Sequence, residues 1–135
     1  MAAALLSGCA PSTIQGLRDS PAGVLMFEVN ENYQSVYRKI ITPARDCWQQ
    51  GASLLTAQTD VQGELYSDIR KGNVTVTMRG PAGAHTFLTI DVAALLDSKT
   101  KITTYYALRG SLPRAQAVEL WVKQNSTECS VTELK

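Results

Sequence analysis

The chain has one histidine, His85, and three widely spaced cysteines, Cys9, Cys47 and Cys129. No CxxC, HxxxH or HExxH spacing is available, which excludes the common zinc sites, thioredoxin-like redox chemistry and zinc-protease chemistry. No GxSxG surrounds a serine, so His85 reads as a strand or turn residue rather than the base of a Ser-His-Asp set. An excess of one charge is also lacking: 13 basic against 12 acidic side chains leave a formal charge of +1. Without a global field to draw polyanions, nucleic acid is not expected as a partner. Outside the first residues, no stretch approaches the roughly 18 apolar residues needed to cross a bilayer. No metal, cofactor or catalytic residue is expected.

With 135 residues, 44% apolar and 19% charged, the composition is that of one ordinary globular domain. Gly23 to Val29 is a short apolar run of strand length. Asn30 is a candidate helix N-cap. After it, Tyr33, Val36, Tyr37, Ile40, Ile41, Ala44, Cys47 and Trp48 recur at three- and four-residue spacing, which predicts a long amphipathic helix ending near Gly51. Pro43 inside it removes one backbone hydrogen bond and predicts a kink or break at Ile41-Thr42.

Segments rich in Thr, Val, Leu and Tyr follow: Ser53 to Tyr66, Asn73 to Arg79, His85 to Ala93 and Lys101 to Leu108. Val74, Val76 and Met78 alternate with Thr75 and Thr77, the period of a strand with one wet face. The breaks at Ser67 to Gly72 and Gly80 to Gly83 are of hairpin length, too short for crossover helices, so the strands should form an antiparallel meander. Ser111 and Pro113 open a last helix whose apolar side is Ala117, Leu120, Trp121 and Val122. The expected fold is α+β: an antiparallel four- to five-stranded meander sheet packed by a long N-terminal helix and a C-terminal helix. Its element order is similar to helix-grip and TATA-binding-protein-like (TBP-like) modules, an analogy that carries no functional residue across. Tyr33, Tyr37, Ile40, Cys47, Trp48, Val76, Ile90 and Trp121 should share its core.

The N-terminus carries the most specific motif. Leu6-Ser7-Gly8-Cys9 resembles the lipobox of bacterial envelope lipoproteins: a leucine, two small residues that let the backbone enter a signal peptidase, then the cysteine whose thiol takes the lipid. The resemblance implies residues 1–8 as the remnant of a truncated signal peptide, lipidation at Cys9 with acyl chains such as palmitate, and a cell-envelope address. Ala10 is not the aspartate that retains such proteins in the inner membrane of enteric bacteria, so the periplasmic face of the outer membrane is the implied destination. Residues 9–22, rich in Pro, Ser and Gly, read as a lipidated tether, and 23–135 as a single periplasmic α+β domain. With Cys9 committed to lipid, Cys47 and Cys129 form one remaining pair. An oxidising compartment permits a disulfide between them, and two buried free thiols are the other reading.

Arg38, Lys39, Arg45, Arg70, Lys71 and Arg79 make a basic patch only if the helix and the first hairpin lie close. The interleaved Asp46, Asp60, Glu64 and Asp68 favour a mixed solvated surface. Glu64 and Asp68 are candidates for an acid/base pair, with ordinary surface charge the favoured reading. Tyr105 and Tyr106 fall on opposite faces of the last strand, one packing inward and one available for recognition of peptide or glycan. Together these features predict a non-catalytic binding or assembly lipoprotein, held to the membrane by its lipid and meeting an envelope protein partner through the sheet. The alternative is a sensor or carrier holding a small ligand between helix and sheet.

Overall fold

The computed structural model describes residues 11–50, 58–81 and 83–131. Its elements are α1 (Ile14–Asp19), β1 (Gly23–Val29), α2 (Tyr33–Trp48), β2 (Gln58–Tyr66), β3 (Lys71–Gly80), β4 (Gly83–Leu96), β5 (Lys99–Tyr106) and α3 (Leu112–Gln124). A 3-10 turn at Arg109–Ser111 leads into α3. All strand pairs are antiparallel, and the sheet order is β1-β5-β4-β3-β2. The α+β fold and the meander of β2 to β5 follow the sequence pattern; β1 adds at the β5 edge, and the sheet is open.

One face of the sheet builds the core. Val36, Ile40, Ile41, Ala44 and Trp48 of α2 bury against Val61, Val74, Val76, Leu88, Ile90 and Val92, with Ala115, Val118, Trp121 and Val122 of α3 beside them. Of the eight expected core residues, Tyr33, Ile40, Trp48, Val76, Ile90 and Trp121 are buried, and Tyr37 and Cys47 pack against the cluster half-buried. Tyr37 lies so close over β2 and β3 that a Cβ on Gly63 would collide with its hydroxyl, and one on Gly72 would stand 2.9 Å from its ring. These glycines leave room for the ring.

Helix α2 begins two residues later than expected. Asn32, not Asn30, is the N-cap, its side chain accepting from the Gln34 amide at 2.8 Å. Pro43 sits inside the helix without breaking it. Ile40, Ile41 and Ala44 around it are buried against the sheet, and that packing outweighs one missing hydrogen bond. The helix ends at Trp48, and the expected end near Gly51 lies outside the described residues. Ser111 occupies the N-cap position of α3 but makes no side-chain capping bond.

Cys47 and Cys129 are bridged, with Cα atoms 5.3 Å apart. The tail beyond α3 folds back to reach Cys47. Asn125 turns the chain in a left-handed conformation, the Trp121 indole donates to the Glu128 carbonyl at 2.6 Å, and the Trp48 indole donates to the Cys129 carbonyl at 3.0 Å. The two indoles pack 4.9 Å apart. The Val131 amide then donates to the Pro113 carbonyl.

The reading of residues 9–22 as a tether is corrected over its second half. Ile14–Asp19 is a helix capped by Thr13 and laid against β4 and β5 on the face opposite α2, with Leu17 wholly buried. The Thr86 amide donates to the Pro11 carbonyl at 2.7 Å, so the chain is already fixed to the sheet at residue 11.

Candidate functional site

Antiparallel register sets the outer face of the sheet in rows. One row runs Tyr66, Lys71, Ala93, Lys101 and Glu28 from β2 to β1; the next runs Glu64, Asn73, Asp91, Thr103 and Met26; the third runs Gln62, Thr75, Thr89, Tyr105 and Val24. Alternation along each strand points these residues away from the α2 core.

Helix α1 is clamped over the middle rows. The Arg18 guanidinium donates through Nε and Nη2 to both oxygens of Asp91, at 2.9 and 2.7 Å. That hydrogen bonding, and the charge of Asp91, hold the Arg18 pKa above its ordinary value against the opposing effect of burial. Asn73 Nδ2 donates to Asp91 at 2.9 Å and to the Thr89 hydroxyl at 2.7 Å, the Thr75 hydroxyl donates to Asn73 Oδ1 at 2.6 Å, and Thr75 and Thr89 meet at 2.9 Å. The buried threonine hydroxyls under α1 are thus satisfied by one another, which makes a dry polar layer tolerable.

Below Arg18 the helix ends and a cleft of about 470 Å³ opens. Its floor includes Ala93, Asn73 and Thr103, Lys71 and Lys101 stand on either side, and Tyr66, Ile69 and Leu95 form its apolar rim. Ala93 is the cross-strand neighbour of both lysines. Strand spacing therefore sets the lysine Cα atoms about 10 Å apart with only a methyl group between them. Neither lysine has an ion-pair partner among the described residues. The nearby carboxylates are engaged: Asp91 by Arg18, Glu28 by Lys99 at 3.4 Å, and Glu64 by the Tyr66 hydroxyl, whose pKa that bond raises. The turns bounding this end are tied together, with Arg70 Nη2 donating to Asp97 at 2.5 Å and the Ala94 amide donating to the Arg70 carbonyl.

Leu65, Tyr66, Ile69, Leu95 and Leu96 are all exposed at the same end, Ile69 by 57% and Leu96 by 63%. Clustered large apolar side chains on a surface mark contact sites more often than single ones do.

The residues singled out from sequence are only partly brought together. Tyr105 and Tyr106 do take opposite faces, but neither lines this cleft. Tyr106 packs toward the core beneath Gly23, and Tyr105 is half-buried beside α1. Tyr106 is thus the inward-packing member of the pair and Tyr105 the one on the outer face. The six basic residues form no single patch: Arg38, Lys39 and Arg45 lie on α2, Arg70 and Lys71 on the far side of the sheet, and Arg79 pairs with Asp60 at 2.7 Å. Glu64 is taken by Tyr66 and Asp68 lies in the exposed turn after β2, so they make no acid/base pair. His85 lies half-buried on β4 opposite Met78. Cys9 lies outside the described residues. Lys101, Ala93 and Leu95, central to the cleft, carried no sequence signal, because only strand register joins them to Lys71.

Among the described residues no group of three His, Cys, Asp or Glu side chains is placed to hold a metal, and no helix is long and apolar enough to cross a membrane. No protein-family model matches the chain, and no curated protein matches it.

Proposed function

We propose that this chain is a lipid-anchored, non-catalytic binding or assembly module of the bacterial envelope, acylated at Cys9 and meeting a protein partner through the outer face of its sheet. The observation that carries the reading is the Cys47–Cys129 bridge. A bridge suits an oxidising compartment, and it leaves Cys9, within the lipobox-like run, as the chain's remaining thiol. Several acyl chains give firm anchoring, since each buried CH₂ adds about 0.8 kcal/mol.

With Pro11 hydrogen-bonded to Thr86, only Ala10 separates the lipidated residue from the fixed sheet. Two residues span at most about 7 Å, so the domain rides on the bilayer surface rather than on a long leash. The interface between α2 and the sheet is filled with aliphatic side chains, which favours a surface contact over an enclosed ligand.

The test is incorporation of labelled fatty acid by the full-length protein expressed with its native upstream region, alongside the Cys9→Ser variant. The variant should take up no label and leave the membrane fraction. Unchanged retention of Cys9→Ser would overturn the anchoring, and in-cell crosslinking that yields no protein partner would overturn the binding role.

A further inference from the structure

We infer that the cleft end of the outer sheet face docks an acidic, apolar segment of a partner protein, with carboxylates on Lys71 and Lys101 and an aliphatic or aromatic side chain against Ile69, Tyr66 and Leu95. This deepens the reading of the chain as a binding module and rests on it. Three observations favour such an occupant. First, both lysines line the cleft with no carboxylate partner among the described residues, while Arg18 is already neutralised by Asp91. The lining therefore presents two uncompensated positive charges, complementary to an acidic chain and repellent to a basic one. Second, five of the nine exposed large apolar side chains among the described residues, Leu65, Tyr66, Ile69, Leu95 and Leu96, gather at this same end, the pattern of an apolar contact with a charged margin.

The third is position. From Thr86, where Pro11 is held, to Ala93 on the cleft floor is seven residues along β4, roughly 20 Å at strand rise. A lipid at Cys9 would sit at the Thr86 end, and the cleft lies toward the opposite end of β4. That separation from the anchor favours a soluble segment over the anchoring membrane as the occupant. An extended acidic segment with a carboxylate at every second residue places successive carboxylates about 7 Å apart on one side. Two flexible lysine side chains rooted about 10 Å apart can close on that interval.

The experiment titrates the ¹⁵N-labelled full chain carrying Cys9→Ser with two blocked hexapeptides, one alternating glutamate and leucine, the other lysine and leucine. The glutamate peptide should give saturable shifts centred on the amides of Lys71, Ala93, Lys101 and Thr103, and should bind at least tenfold more tightly than the lysine peptide. The double variant Lys71→Glu/Lys101→Glu should reverse that preference, an outcome that misfolding, which weakens both peptides, does not mimic. Equal binding of the two peptides, shifts located elsewhere, no saturable shifts, or an unreversed preference in the double variant would each overturn the inference. Sedimentation with phosphatidylglycerol vesicles, lost in the double variant and stronger than peptide binding, would reassign the site to a lipid surface and so overturn it as well. Failure here with crosslinking and fatty-acid labelling intact would leave the binding-module reading standing, so the two fail separately.

Discussion

Removing the disulfide with the double substitution Cys47→Ser/Cys129→Ser gives the sharpest quantitative expectation. The bridge joins residues 82 apart in sequence. In the chain-entropy model, closing a loop of that length withdraws about 4.5 kcal/mol of freedom from the unfolded chain at 25 °C. A natural domain has only about 5 to 15 kcal/mol in total, so the variant should sit near the edge of stability. At about 2.1 cal/mol/K of unfolding entropy per residue, a chain of 135 residues changes melting temperature by about 1 °C for every 0.28 kcal/mol, so the midpoint should fall by about 16 °C. The native contacts around the bridge need not change, because the Trp48 and Trp121 indoles hold the carbonyls of Cys129 and Glu128 without the sulfurs. Native tryptophan fluorescence should therefore be preserved while stability falls. In urea, the m value should rise, since an unbridged unfolded chain exposes more surface. A loss below about 1 kcal/mol, with m unchanged, would refute the argument that the bridge acts by restricting the unfolded chain.

Leu17→Ala removes the one wholly buried side chain of α1 and should cost about 2 kcal/mol, with faster amide exchange confined to Ile14–Asp19 and the Thr86 amide. Unchanged exchange there would mean that α1 does not depend on Leu17 for docking. Gly63→Ala places a Cβ against the Tyr37 hydroxyl and Ile41 and should destabilise by about 1 to 3 kcal/mol; a neutral result would show that Tyr37 moves aside freely. Burial pushes the Glu31 carboxyl up, but hydrogen bonds from Lys39 and Ser35, with the charge of Lys39, outweigh it and hold the group below its ordinary value. Its contribution is then complete above the ordinary glutamate pKa of about 4.3 and lost as pH falls through the depressed value. Thermal melts of Glu31→Gln should accordingly show a flatter decline below about pH 4.3 than the parent, and identical acid limbs would refute the pairing with Lys39.

Helix α2 and strand β3 were legible because their periodicities are long enough to count. Eight apolar residues at three- and four-residue spacing identify one face of a helix, and Val74, Val76 and Met78 against Thr75 and Thr77 identify one face of a strand. The N-cap was less legible, since Asn30 and Asn32 are chemically equal candidates two residues apart and only the hydrogen bond to Gln34 selects the second. Helix α1 was hidden for a different reason. Its six residues contain too few apolar positions to show a period, and an isolated helix of that length is unstable in water. It exists because Leu17 and Arg18 find the sheet, a tertiary cause that local sequence does not contain. Thr13 before Ile14 was the available local signal, a capping residue inside what composition read as a tether.

The cleft was illegible because its parts are far apart in sequence and meet only through register. Lys71, Ala93 and Lys101 become neighbours when the β3–β4 and β4–β5 turns fix how β3, β4 and β5 align; a slip of one residue would send each lysine to the core face. The alternation in β3 also read its threonine face as wet, yet Thr75 on that face is buried and Asn73 and Thr77 are half-buried. Threonine makes the pattern ambiguous, because a hydroxyl next to a methyl group serves water or a dry neighbour equally well. Thr75 and Thr89 exchange a hydrogen bond at 2.9 Å beneath α1, so burying them leaves no polar group unpaired. Two rows on from Thr75 and Thr89, where Lys71 and Lys101 flank Ala93, the same cover would strand charges, and there α1 ends. The border between a covered sheet and an open cleft thus lies where side chains that satisfy one another give way to side chains that require an outside partner.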